Sequence, residues 1–316
     1  MTLNKFLITI MILLCSKIAT AGTIPFISTW QTTTANETIT IPVSPFAIYN
    51  YTINWGDGDE DQNQTGDITH TYVTPGIHTV SITGDYPRIR FGDSPDEDKV
   101  LTIEQWGNSQ WTSMNEAFNG CSNLQGNFTD IPDLSNVTDM GFMFLDATSF
   151  NWPINNWDVS NVTEVNNMFN RAIAFNQDLS NWDVGNITDM SSMFQDADDF
   201  NGDITTWNTI NVQNMSQMFL GANNFNQDIN LRPGQGFPLG ADAWNTSSVT
   251  NMTSMFSTTA SFNGNIGDWN VSSVTNMRSM FFSATAFDSD ISSWNVSSVT
   301  EMTLMFFNAS SFNQDI

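Results

Sequence analysis

The chain has 316 residues, with 33 Asp and Glu against 8 Lys and Arg, for a formal net charge of −25. So acidic a body repels phosphate backbones, which excludes nucleic acid as a partner class. The same carboxylates keep a large protein solvated and are open to cations or basic partners.

Residues 1–21 read as a secretory signal. Lys5 precedes an apolar run over residues 6–15, and Ala19-Thr20-Ala21 supplies a small-x-small cleavage pattern before Gly22. The run is too short to span a bilayer, and no other segment approaches a spanning length. The mature chain is therefore expected to be exported and not membrane-spanning. Lipid attachment at Cys15 is the rival reading, and the bulk of Leu14 argues against it. Cleavage removes Lys5 and Lys17, leaving six cations against 33 acids and a net charge of −27. It also leaves Cys121 as the one thiol, so no intramolecular disulfide can form, and Cys121 is read as core filler.

Residues 22–94 alternate like an antiparallel β-sandwich. Ile39, Ile41 and Val43 mark one strand, Tyr49, Tyr51, Ile53 and Trp55 a second, and Val80 and Ile82 a third. Turns fall at Gly56-Asp57-Gly58 and Pro75-Gly76. Three motifs in order carry a resemblance: Trp55-Gly56-Asp57-Gly58, His70-Thr71-Tyr72, and Pro75-Gly76-Ile77-His78-Thr79-Val80. Over residues 38–84 these resemble PKD domains, which implies an Ig-like sandwich; His78 stands where that family usually has another aromatic. An acidic, proline-containing stretch at 93–99 suits a linker.

Residues 95–316 repeat with a period of 25. Trp157, Trp182 and Trp207 keep that beat, as do Trp244, Trp269 and Trp294, and Phe144, Phe169, Phe194 and Phe219 follow it. The step from Trp207 to Trp244 is 37, which places a 12-residue insertion at 231–242. A fixed period in this range predicts a solenoid whose units bury their apolar faces against neighbours. Within one unit, Ile187, Met190, Met193, Phe194 and Ala197 have the spacing of a short helix, with Thr188 as its N-cap and Asp189 in its first turn. The stretch from Leu179 to Val184 reads as a strand. The expected fold is thus a β-sandwich followed by an α/β leucine-rich-repeat-type solenoid of 25-residue coils.

The repeat text Phe175-Asn176-Gln177-Asp178-Leu179-Ser180-Asn181-Trp182-Asp183-Val184, then Ile187-Thr188-Asp189-Met190-Ser191-Ser192-Met193-Phe194, resembles BspA-like leucine-rich-repeat surface proteins. That resemblance covers about residues 100–316. It implies a bacterial surface or secreted protein used in attachment and protein binding.

Several motifs have plain structural readings. The paired methionines, such as Met190 and Met193, recur beside phenylalanine and are read as core rather than as a copper ladder. Asn-x-Ser/Thr at Asn136, Asn161, Asn186, Asn270 and Asn295 is read as one recurrent turn position rather than as glycan acceptors. The run Asp57-Gly58-Asp59-Glu60-Asp61-Gln62-Asn63 fails the EF-hand pattern, leaving only a loosely bound calcium as a cofactor reading. No nucleophile elbow, zinc-protease motif or phosphate loop is present, and Asp158 and Asp183 recur with the repeat, so no enzyme is expected. Insertions in repeat arrays map to one face, often the binding face, which makes Arg232 and Phe237 the binding-loop candidates.

The functional expectation is a secreted or cell-surface adhesion and protein-interaction module. It would meet extracellular protein, matrix or glycan ligands through a repeated face, with avidity multiplying weak contacts. The alternatives are a structural surface-layer or spacer module, or the non-catalytic part of a larger secreted enzyme. Because the sequence stops in mid-unit at Ile316, a longer parent chain is also an expectation.

Overall fold

The computed structural model describes residues 23–92 and 94–316; the signal reading at 1–21 falls outside the described residues. Six strands come first: β1 (Phe26–Thr32), β2 (Glu37–Ile41), β3 (Asn50–Asn54), β4 (Glu60–Gln64), β5 (Ile68–Tyr72) and β6 (Gly76–Asp85). A three-residue 3-10 turn, Glu97–Lys99, leads into β7 (Val100–Gln105), and β8 is the pair Gln125–Gly126. Alternation makes the strands: in β1, Phe26, Ser28, Trp30 and Thr32 are buried while the residues between them face outward.

One six-stranded sheet runs in the order β4-β3-β6-β1-β7-β8, and β2 pairs with β5 in a separate ribbon. The ribbon closes on the sheet through aromatics. The Tyr72 hydroxyl donates to the Trp55 carbonyl at 2.8 Å, and His70 stacks on Trp55 with ring centres 4.8 Å apart. His78 occupies its unusual place by stacking on Tyr72 at 3.5 Å and meeting Thr32 Oγ1 at 2.8 Å. Lys99 ties the turn to the ribbon, reaching Asp96 Oδ1 at 2.6 Å and the Thr38 carbonyl at 2.7 Å.

The sheet does not stop at residue 94. Strand β7 pairs antiparallel with β1 and parallel with β8, and β8 belongs to the first winding of the repeat region. Buried side chains form one cluster from Phe26 to Met305, so the N-terminal sheet and the repeat share a core.

The repeat region overturns the expected α/β solenoid. Among the described residues the only helical segment is the 3-10 turn at Glu97–Lys99; the windings contain no α-helix and no strand as long as the one expected at 179–184. The cause lies in the backbone. Each winding holds two left-handed residues four positions apart, for example Ser192 (φ 54°) and Asp196 (φ 52°), Asn167 (φ 58°) and Arg171 (φ 56°), or Ser254 (φ 53°) and Thr258 (φ 58°). A right-handed helix cannot run through such residues. Their effect is to divide the amides into two sets. Met193, Gln195 and Ala197 donate three residues back, to Met190, Ser192 and Phe194, in tight turns. Met190, Ser192, Phe194 and Asp196 instead donate to Asn214, Ser216, Met218 and Leu220 of the next winding, at 2.7–3.0 Å. The same four-bond ladder recurs at the other junctions, from Met114 to Asp139 through Met277 to Glu301.

The residue expected in the first helical turn is in fact the pairing residue. Asp139, Glu164, Asp189, Asn214, Asn251, Asn276 and Glu301 form a column of parallel one-residue bridges. Thr188, expected as an N-cap, and its equivalents hold winding to winding instead: Thr188 reaches Glu164 Oε1 at 3.5 Å, and Thr163, Thr275 and Thr300 direct their hydroxyls to the carbonyls of Thr138, Thr250 and Thr275 at 3.1–3.2 Å.

Inside the windings the aromatics form columns. Phe118, Phe144, Phe169, Phe194, Phe219, Phe256, Phe281 and Phe306 stack with centroids 5.6–5.8 Å apart, within the favourable range for ring pairs. Met190 and Met193 are fully buried, as are Cys121 and the equivalent methionines of neighbouring windings.

Left-handed residues other than glycine carry a strain that substitution can probe. Ser254 makes no side-chain hydrogen bond in the structure, so its φ is the main thing a substitution there perturbs. Ser254→Gly is expected to leave stability unchanged or raise it slightly, whereas Ser254→Val should cost about 1–2 kcal/mol. Urea denaturation midpoints of the two variants check this; equal midpoints would contradict the backbone account.

Candidate functional site

The insertion forms a hairpin, β9 (Arg232–Gly236) and β10 (Ala241–Ala243), whose turn is braced by the Gly234 amide donating to Asp242 Oδ1 at 2.9 Å. The stack resumes register across it, because the Trp244 amide donates to the Trp207 carbonyl at 2.8 Å. The two binding-loop candidates separate here. Arg232 turns back on its own winding, pairing with the Asp228 carboxylate and carbonyl, both at 3.1 Å. Phe237, in the connection between β9 and β10, bridges to Trp207 through its backbone and lines a surface cavity of about 260 Å³ with Trp157, Asp158, Asn181 and Asp183.

That cavity adjoins a larger one of about 460 Å³, lined by Phe128, Thr129, Asp130, Trp152 and Pro153; the two share Asn155, Asn156 and Asn181. Together they make a groove from the first winding to the insertion, of a size common for small-ligand sites. Its lining combines aromatic rings with side-chain amides and carboxylates.

Sequence reasoning missed Trp152, although the signal was available. At its position the other windings carry Gln177, Gly202, Gln227, Gly264, Ser289 and Gln314, and the next position is Pro153 where the others carry Asp or Asn. The polar residues at this position reach the preceding winding, as Gln177 Nε2 does in donating to Asn151 Oδ1 at 2.7 Å. Trp152 lies instead across Gly126, where a Cβ would come within 2.3 Å of its Cγ. Its Nε1 donates to the Phe128 carbonyl at 3.3 Å, and its ring sits 6.0 Å from that of Phe128.

A second irregularity meets the groove. Trp182, Trp207, Trp244, Trp269 and Trp294 each donate their indole N–H to a carbonyl of the preceding winding at 2.7–3.1 Å. Trp157, in the groove wall, is equally buried, yet its Nε1 finds no partner. The column's bonding pattern therefore lapses where the repeat meets its atypical first winding, whose Phe118 stands 26 rather than 25 residues before Phe144.

Polar groups around the groove divide into committed and open ones. Asn155 is engaged on both sides, donating to Asp178 Oδ2 at 2.9 Å and accepting from the Asn181 amide at 2.8 Å. Asp158 and Asp183 each spend one oxygen on a backbone amide two residues on. The side chains of Asn156 and Asn181 are exposed and make no hydrogen bond to the protein.

The remaining motifs lie elsewhere. Asp57 and Asp59, between β3 and β4, and His70, on β5, bring three donor atoms within 4.8 Å of one another. Calcium takes six to eight oxygens, and this set offers an imidazole and two carboxylates. Burial works against the charge on Asp57, but the 2.8 Å hydrogen bond from His70, joined by the Asp59 amide, prevails and holds its carboxyl below the usual range. The Asn-x-Ser/Thr sites fall at two repeat positions rather than one. Asn161 and Asn186 donate to the carbonyls of Ser135 and Ser160, while Asn270 and Asn295 accept from the amides of Ser272 and Ser297. In the bridge column, burial and then the like charges of Asp189 and Asp139 push the Glu164 carboxyl above its ordinary value. Asn214 ends that run of acids by donating to Asp189 Oδ2 at 3.3 Å.

The family described as "Mycoplasma protein of unknown function, DUF285" matches residues 112–232 and 235–316, and the chain belongs to it. The match covers the windings and leaves β1 to β7 outside. No curated protein and no solved structure matches the chain. Among the described residues no helix is long and apolar enough to cross a membrane.

Two outcomes follow from this geometry. Gly126→Ala should displace Trp152 and shift one of the 11 indole resonances in 5-fluorotryptophan-labelled protein, while the rest of the spectrum holds; an unchanged spectrum would mean the indole does not rest on Gly126. Glu164→Gln should stabilise the protein at neutral pH by about 0.5 kcal/mol, the scale of a like-charge cross-strand contact screened by solvent. Because folding raises this pKa, Glu164 weakens the fold as pH climbs through the folded value, and the advantage of the variant should vanish below the ordinary carboxylate pKa of 4.5. Denaturation at pH 7 and pH 4 measures the gap.

Proposed function

We propose that the chain is an exported, non-catalytic recognition module of the cell surface, binding an extracellular partner through the groove between Trp152 and Phe237. The observation that carries this reading is the coincidence of two departures from the repeat, an aromatic-proline pair and an insertion, on the two sides of one groove. Windings that serve only to hold a fixed length need neither departure. Rigid aromatics in a partly polar cleft are the usual anchors of recognition, since they offer large contact area at little cost in side-chain entropy. The secretory reading of residues 1–21 and the heavy negative charge suit an extracellular setting.

The purified chain should bind saturably to at least one immobilised extracellular-matrix or glycan surface. Trp152→Ala or Phe237→Ala should weaken that binding about tenfold or more, as expected for aromatic anchors. Deleting residues 231–242 restores a 25-residue step from tryptophan to tryptophan, so the deletion should fold and lose binding. Surface binding that is non-saturable, or indifferent to all three changes, would leave a spacer as the better account.

A further inference from the structure

We infer that the groove takes a neutral carbohydrate, with one sugar ring lying on the indole of Trp152 and its hydroxyls meeting the open amides of Asn156 and Asn181. This rests on the recognition reading above and names its ligand class.

The chemistry of the lining carries it. The one polar atom of Trp152 is already committed to the Phe128 carbonyl, so what the indole offers a ligand is ring surface. The negative face of an aromatic ring attracts polarised C–H groups, and the flat face of a sugar ring is a patch of such groups. Gly126 and Phe128 fix the indole beforehand, which reduces the ordering that binding would otherwise require. Around this platform stand side-chain amides, each able to donate and accept, which matches the dual character of a hydroxyl. Asn156 and Asn181 have no protein partner to give up. The free oxygens of Asp158 and Asp183 add acceptors at the far end, towards Phe237.

Other ligand classes fit less well. A formal charge of −25, with Asp130, Asp158 and Asp183 on the walls, disfavours sulfated or carboxylated sugars and any phosphate ester. An apolar helix would want a continuous greasy trough, whereas here amides and carboxylates share the lining with the aromatics. A basic peptide is the rival that the walls would tolerate, and the experiment includes it.

Full-length mature protein labelled with 5-fluorotryptophan is titrated with mannotriose, cellotetraose, chitotetraose and N-acetyllactosamine, with heparin and an oligolysine peptide as the acidic and basic arms. Trp152→Phe assigns the Trp152 resonance and serves as the conservative variant. At least one neutral sugar should shift that resonance saturably. By isothermal titration calorimetry, Trp152→Ala should weaken the same sugar at least tenfold, Trp152→Phe less, and Asn181→Ala several-fold. No shift with any neutral sugar, or an affinity that survives Trp152→Ala, would overturn the carbohydrate assignment; so would a Trp152 response to oligolysine alone, which would assign the groove to a peptide. If matrix binding remained sensitive to Trp152 while every sugar failed, the recognition reading would stand and only the ligand class would fall. If both failed, both would fall together.

Discussion

Met190, Ser192, Phe194 and Asp196 point their amides along the stack rather than along a helix axis, and the repeat region depends on that choice. Buried backbone donors must find acceptors, and here the acceptors belong to the next winding. Four such bonds per junction set the register between neighbours to a single residue. The columns of phenylalanine, the asparagine at 151 accepting from the amide at 176, and the threonine hydroxyls reaching the preceding carbonyls all follow from that register. The insertion obeys it too. A hairpin can leave between Trp207 and Trp244 because the backbone bond between those residues fixes where the chain must return.

The period was legible in the sequence because burial against identical neighbours repeats the same apolar positions. The conformation was not. Spacings of three and one from Met190 to Phe194 suit a helix face, but a run of tight turns closed by bonds three residues back buries the same positions. Glycine would have betrayed the left-handed sites; instead they are filled by Ser192, Asp196, Asn167, Arg171, Phe142 and Leu304, with glycine only at Gly120 and Gly221. In the N-terminal sheet and its ribbon, β2, β3 and β6 announce themselves by apolar alternation. Strand β4, Glu-Asp-Gln-Asn-Gln, carries no apolar residue to alternate, and as an acidic edge strand it discourages further pairing.

Of the groove, sequence showed Phe237, since an insertion is visible against a regular period. Trp152 stayed hidden because, read along the chain, it is one more aromatic in a chain with 11 tryptophans. Only a comparison down the column, winding against winding, shows an indole where its equivalents are Gln, Gly or Ser. Arg232 drew notice as a rare cation on the insertion, but a carboxylate four residues earlier satisfies it, a local pairing that spacing alone does not rank above a distant one.

A stack of near-identical windings has difficulty making a specific site, because whatever one winding presents its neighbours present as well. Specificity requires that the translational symmetry be broken, and stability requires that the ladder survive the break. The proposed site would meet both demands in one place. At the N-terminal side, the atypical first winding supplies Phe128 and the glycine on which Trp152 rests; at the other, the hairpin delivers Phe237 without disturbing the bond from Trp244 to Trp207. Between them the ordinary windings contribute what they have everywhere, exposed asparagine and aspartate. The unpartnered indole N–H of Trp157 falls at this same seam, where the hydrogen bond that the later tryptophans of the column make to the preceding winding is missing.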